Sequence, residues 1–262
     1  MTSFPLGPDL SLLWNRVPIY ERGAMTRRFT ALTVIGLCLV LSTDAFAQLK
    51  DHIELNVFGA GSFYTENQYV IGYPQSTAPI PGELKFNPHA RFGARLGVFT
   101  RGHWGQEFYY SFEPNQVDIS TSGPSPTVAD LKVQVHQYGI NALFYPVETE
   151  ARTLHFFLSA GIGGTAYLLT PGAISFARDP AQGNMPDIGN SNELAFNFGF
   201  GFKTRSTGWL GLRFDVRDFV GRTPSFGLAR HSTNPTATVL PATGVVHNPE
   251  LSLGLVFYFN KR

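Results

Sequence analysis

The amino-acid sequence predicts an all-β fold, an eight-stranded antiparallel up-and-down transmembrane β-barrel, on three observations. The final segment, 251–259, puts Leu251, Leu253, Leu255, Phe257 and Phe259 on one face and Ser252, Gly254 and Tyr258 on the other, the period of a strand with one apolar side. Seven further segments repeat that alternation. The connections between them alternate long and short, as they do where one end of a barrel carries loops and the other tight turns.

The amino-terminal region comes first in the chain. From Met25, the basic pair Arg27 and Arg28 is followed by an apolar run over 31–41 and then by Asp44-Ala45-Phe46-Ala47, the order of regions in a secretory signal peptide. Cleavage after Ala47 would leave Gln48 at the front. The apolar run is shorter than the roughly 20 residues a spanning helix needs. Residues 1–24, broken by Pro5, Pro8 and Pro18, have no signal character and read as an extension upstream of a true start at Met25, with an extended signal peptide as the alternative. The expected organisation is therefore 1–24 extension, 25–47 signal peptide and 48–262 barrel. Cys38, the single cysteine, falls inside the apolar run and follows Leu37, so the mature chain is expected to carry neither disulfide nor thiolate metal site nor lipoprotein anchor. Segment 48–262 holds 16 basic and 16 acidic residues, which gives no support to a nucleic-acid partner.

The predicted strands are 53–64, 90–100, 104–118, 131–145, 154–169, 193–203, 209–219 and 249–259. Long stretches at 65–89, 119–130, 170–192 and 220–248 follow the first, third, fifth and seventh, whereas short turns, such as 101–103 and 204–208, follow the second, fourth and sixth. The long stretches are rich in Pro, Gly, Asn, Ser and Thr and read as solvated extracellular loops.

One strand face carries Phe92, Ala94, Leu96 and Val98, then Leu194, Phe196, Phe198, Phe200 and Phe202, then Leu210, Leu212, Phe214 and Val216; the other carries Arg91, Arg95, Glu107, Lys203, Arg213, Asp215, Arg217, Glu250 and many glycines. An eight-stranded barrel has room inside only for side chains or one small ligand. Five phenylalanines from one strand and the leucines of the others do not fit there, so the apolar face is assigned to lipid. Tyr64, Trp104, Tyr109, Tyr110, Tyr145, Tyr167, Trp209 and Tyr258, near strand ends, are expected in the interfacial belts.

Two constellations could carry function. Arg213, Asp215 and Arg217 share the inward face, with Arg91, Arg95, Glu107 and Glu54 as partners from other strands; buried ions must pair, and the expected result is a salt-bridge plug rather than a gated ion path. His231-Ser232-Thr233-Asn234, with Glu250 downstream, supplies the parts of a hydrolytic triad. It resembles the late His-x-Ser-Asn motif of outer-membrane lipid A deacylases, but Thr233 stands where the nucleophilic serine belongs. A polar loop is the preferred reading, leaving His231, Thr233 and Glu250 as the weak catalytic candidates. His52, His89, His103, His136, His155 and His247 are scattered singly, so no metal site is expected. No phosphate-cradling loop occurs and no cofactor is expected.

With its signal over 25–47, its inward Arg213-Phe214-Asp215-Val216-Arg217-Asp218 strand and its closing 253–259 segment, the chain resembles the porin-family eight-stranded barrels typified by the outer membrane protein A transmembrane domain and the opacity-type adhesins. It departs from them in the tail Asn260-Lys261-Arg262 and in its long fourth loop. The resemblance implies an exported outer-membrane barrel whose partners are outer-membrane lipid and lipopolysaccharide, the barrel-insertion machinery and an unknown surface ligand of the loops. It implies a non-enzymatic structural or adhesin-like role. A lipid A-modifying hydrolase and a soluble lipocalin-like binding barrel are the alternatives.

Overall fold

The computed structural model describes residues 52–65, 67–71, 80–99, 103–121, 128–147, 154–179, 186–205, 209–231, 240 and 244–259. The signal segment and its upstream extension lie outside the described residues.

Among the described residues the strands are β1 (His52–Ser62), β2 (Asn67–Ile71), β3 (Ile80–Phe86), β4 (His89–Phe99), β5 (Trp104–Thr121), β6 (Val128–Phe144), β7 (Leu154–Leu169), β8 (Ser191–Arg205), β9 (Leu210–Arg222) and β10 (Val245–Phe259), and a helix, α1 (Pro171–Arg178), follows β7. Eight of them close a ring in the order β5-β4-β1-β10-β9-β8-β7-β6, with β6 pairing back onto β5. The first and last strands meet antiparallel from Ile53 opposite Phe259 to Ser62 opposite Glu250. Closure leaves the wall without a free edge, as a bilayer requires.

Alternation decides the faces. Phe92, Phe196, Phe198 and Leu253 are each more than half exposed on the outer wall, whereas Arg91, Arg213 and Arg217 are at most 1% exposed inside. The apolar lining that a soluble binding barrel needs is thus turned outward. Glycine makes the crowded interior possible at close approaches. A Cβ on Gly199 would lie 2.2 Å from the Val216 carbonyl oxygen with Arg217 packed over it, and one on Gly93 would lie 2.5 Å from the Tyr110 carbonyl and the Phe58 ring.

The aromatic belt is smaller than expected. Trp104, Trp209 and Tyr110 face outward, but Tyr109, Tyr145 and Tyr167 are buried inside, the Tyr64 hydroxyl donates to Glu113 in the lumen, and the Tyr258 ring lies against Gly211. Strand parity is the reason: Tyr109 and Tyr110 are neighbours, and neighbours point to opposite faces.

The long loops also correct the solvated reading. β5 runs 18 residues, and β4 pairs with it only from Gly105 to Phe112. β2 and β3 form a hairpin whose second strand pairs with the remaining height of β5, Phe86 opposite Val117 through Gly82 opposite Thr121, so that backbone donors and acceptors on this edge are used. α1 starts on Thr170, whose side chain accepts from the Ala173 amide, with proline in its first turn. It buries Ala173 and Ala177 against Phe86, Val117, Leu131, Val133, Val135, Tyr167, Leu169, Ile188, Phe226, Leu228 and Leu240. This apolar cluster occupies the end from which the long loops spring. Leu143, Tyr145 and Phe157 form a second cluster on the turn side of the lumen.

Candidate functional site

Between these two apolar layers lies a column of paired charge. Its geometry starts from the two-residue period of β9: Arg213, Asp215 and Arg217 project to one side because successive side chains alternate. Asp215 Oδ1 accepts from Arg213 Nη2 and from Arg217 Nη2, each at 2.9 Å. Glu107, on β5 across the lumen, takes Arg213 Nη1 at 2.6 Å on one oxygen and Arg217 Nη2 at 2.9 Å on the other.

From this centre the ladder runs both ways. Toward the turn end, Glu54 lies 3.8 Å from Arg213 and 2.9 Å from Lys203. Toward the loop end, Arg95 joins Asp215 to Glu250 at 2.9 Å each, and Arg91 joins Glu250 at 2.9 Å to Glu113 at 2.6 Å. Tyr64, Asn115, Gln137 and Asn248 complete the bonding around Arg91 and Glu113. Among the described residues, the buried charges are five cations (Arg91, Arg95, Lys203, Arg213, Arg217) and five anions (Glu54, Glu107, Glu113, Asp215, Glu250). Opposite signs alternate along the column, which offsets the cost of removing each ion from water.

Aromatic rings fill the remaining space. The Arg95 guanidinium carbon sits 3.7 Å above the Phe58 ring centre, that of Arg213 sits 4.5 Å from the centre of Phe157, and Lys203 Nζ lies 4.9 Å from the centre of Tyr145. Such cation–π contacts favour guanidinium in a space with no room for bulk water.

The structure thus brings Arg91, Arg95, Glu107, Arg213, Asp215 and Arg217 into one network. It adds Lys203, Glu113, Asn248 and Tyr64. Glu113 was legible by parity, six residues after Glu107 and on the same face, whereas Asn248 and Tyr64 carry no charge signal. Glu250 sits in the ladder with one oxygen on Arg95 and the other on Arg91. His231 is exposed, and Thr233 lies outside the described residues. Among the described residues no group of three His, Cys, Asp or Glu side chains is arranged to hold a metal.

No protein-family model matches this chain, and no curated protein matches it. Among solved structures, the outer membrane protein OprG from Pseudomonas aeruginosa is similar with a TM-score of 0.52 and 10% identity, over 82% of this chain and 98% of that one. Neisserial surface protein A matches with a TM-score of 0.43 and 12% identity, over 79% and 97%. At these identities the likeness to OprG is one of fold. No helix among the described residues is long and apolar enough to cross a membrane; the strands cross instead, and their outer face is the apolar one. With its closed ring, its lipid-facing phenylalanines and the fold it has in common with OprG, the chain is an eight-stranded transmembrane β-barrel of the outer-membrane class.

Proposed function

We propose that this protein is a non-enzymatic, closed barrel that anchors a folded outward-facing surface in the outer membrane and acts in a structural or adhesin-like role. The observation that carries this reading is the filling of the lumen: ten alternating charges, tied at 2.6 to 2.9 Å except for the 3.8 Å step between Glu54 and Arg213, stand between two apolar clusters. A conducting pore needs a continuous wet path, and a small barrel packed with side chains provides none. The strands and loops outside the bilayer, above all the β2–β3 hairpin and α1, are the parts left to meet a surface ligand. Outer-membrane lipid and lipopolysaccharide surround the wall, and the barrel-insertion machinery delivers it.

The test is conductance across a planar lipid bilayer holding the purified, folded protein. No reproducible conductance step is expected, whereas a stable ohmic step that scales with salt would overturn the closed reading. The non-enzymatic part is tested by mass analysis of lipid A from cells that express the wild type or His231→Ala. Identical lipid A is expected from both and from cells lacking the gene; loss of an acyl chain only with the wild type would establish a hydrolase.

A further inference from the structure

The apolar cluster at the loop end contains one backbone outlier. Phe226 has φ of 50° and Gly227 has φ of 79°, so both central residues of this turn are left-handed. The Leu228 amide donates to the Ser225 carbonyl across it at 3.0 Å. Left-handed backbone suits glycine at the second position, but at the first it is the habit of Asn, Asp or Gly and is unfavourable for a bulky residue. A phenylalanine there is retained only where its surroundings over-determine it.

Its surroundings do so. The Phe226 side chain is fully buried, its ring meets that of Tyr167 edge-on at 6.2 Å, and its carbonyl accepts from the Gly189 amide at 2.6 Å. The Ser225 amide donates to Ser191 Oγ at 3.2 Å. The connection after β9 is therefore fastened to the connection after α1, which Arg178 holds in turn by donating to the Ile188 carbonyl at 2.8 Å. The buried ring and these hydrogen bonds hold the turn against the strain of one left-handed residue, so opening it would give up those contacts and relieve strain at the point where the two connections are fastened together.

We propose that the Ser225–Leu228 turn is a latch, with Phe226 as a removable member of the packed apolar cluster at the extracellular end, so that this end of the barrel alternates between a closed and an open form. In the closed form Phe226 covers Tyr167 and the neighbouring wall of β6 and β7. In the open form the turn withdraws, the left-handed strain is released, and the apolar side chains that Phe226 packs against, above the charge ladder, face the outside. The lower ladder and the Leu143, Tyr145 and Phe157 layer stay in place throughout, so the inference does not depend on whether the lumen conducts.

The reporter is a cysteine at Val135, which is 1% exposed and pairs with Tyr167 across β6 and β7. It is placed in the full chain with Cys38→Ser, so that it is the sole thiol, and treated on intact cells with a charged, membrane-impermeant methanethiosulfonate. Lys132→Cys, at an exposed position of the same strand, is the open control. Val135→Cys should react slowly but completely, about a hundredfold slower than the control, as expected for a thiol reached only through local opening. Adding Phe226→Ala, which removes the ring, or Gly227→Val, which leaves Phe226 but makes the turn unfavourable, should each speed labelling at least about tenfold. A heat-modifiable band on gels confirms that each variant is folded. Rates equal within about twofold in all three backgrounds would overturn the latch, and so would a Val135→Cys rate equal to that of the control, since no closed form would then exist.

Discussion

Arg213 on β9 and Glu107 on β5 are joined at 2.6 Å although their strands stand four places apart in a ring of eight. The pair spans the lumen. A contact that crosses the barrel ties opposite walls together, which neighbouring strand pairing alone does not do.

Removing one side of it leaves buried charge without a partner. Glu107→Ala strips Arg213 and Arg217 of a shared acceptor and should destabilise the folded barrel by about 3 to 5 kcal/mol. Urea unfolding in lipid vesicles, followed by the heat-modifiable gel band, measures it; a loss well under 1 kcal/mol would contradict a dry, fully coupled lumen.

Lys203 and Glu54 form the turn-side step of the ladder at 2.9 Å. Lys203→Met and Glu54→Gln should each destabilise, and the double variant should recover part of the summed loss, giving a coupling energy of about 0.5 to 3 kcal/mol of the favourable sign. Strict additivity in the same unfolding assay would mean that the two side chains do not interact.

The interior glycines separate from the exterior ones. Gly199→Ala forces a methyl group toward the Val216 carbonyl and Arg217 and should cost about 1 to 3 kcal/mol. Gly172→Ala, in α1 with nothing within 4 Å of the added carbon, should be neutral or stabilise by roughly 0.4 to 1 kcal/mol. Equal effects at the two sites would argue against a packed interior.

Lipid contact is tested on the outer wall. Leu253→Arg, at one of the most exposed apolar positions of β10, should cost about 2 to 4 kcal/mol if it sits near the bilayer midplane. In refolding experiments the variant should insert less completely into vesicles than wild type; unimpaired insertion would place Leu253 away from the hydrocarbon.

Much of this was legible along the chain because a strand's two faces are written in alternate residues. The segment from Leu154 to Leu169 was placed at both ends, and Phe196 to Phe202 could be assigned to lipid from their volume alone. Parity also contained more than was drawn from it. Tyr109, Tyr145 and Tyr167 share a face with the charged residues of their strands or close the lumen beside them, and belong inside. The β2–β3 hairpin was hidden for another reason: its residues resemble loop, and what makes them strand is the unpaired upper edge of β5, which lies far along the chain from β2.

The alternation along the chain, taken with the volume an eight-stranded ring can hold, dictates a barrel, the number of strands that close it and the face that meets lipid. It also determined that Arg213, Asp215 and Arg217 would need partners. Which carboxylates those are, that Glu250 accepts from both Arg91 and Arg95, and that the connections after β7 and β9 meet at Phe226 emerge only from the assembled barrel. Pairing across a lumen depends on the stagger of eight strands together, and no stretch of chain records that stagger on its own.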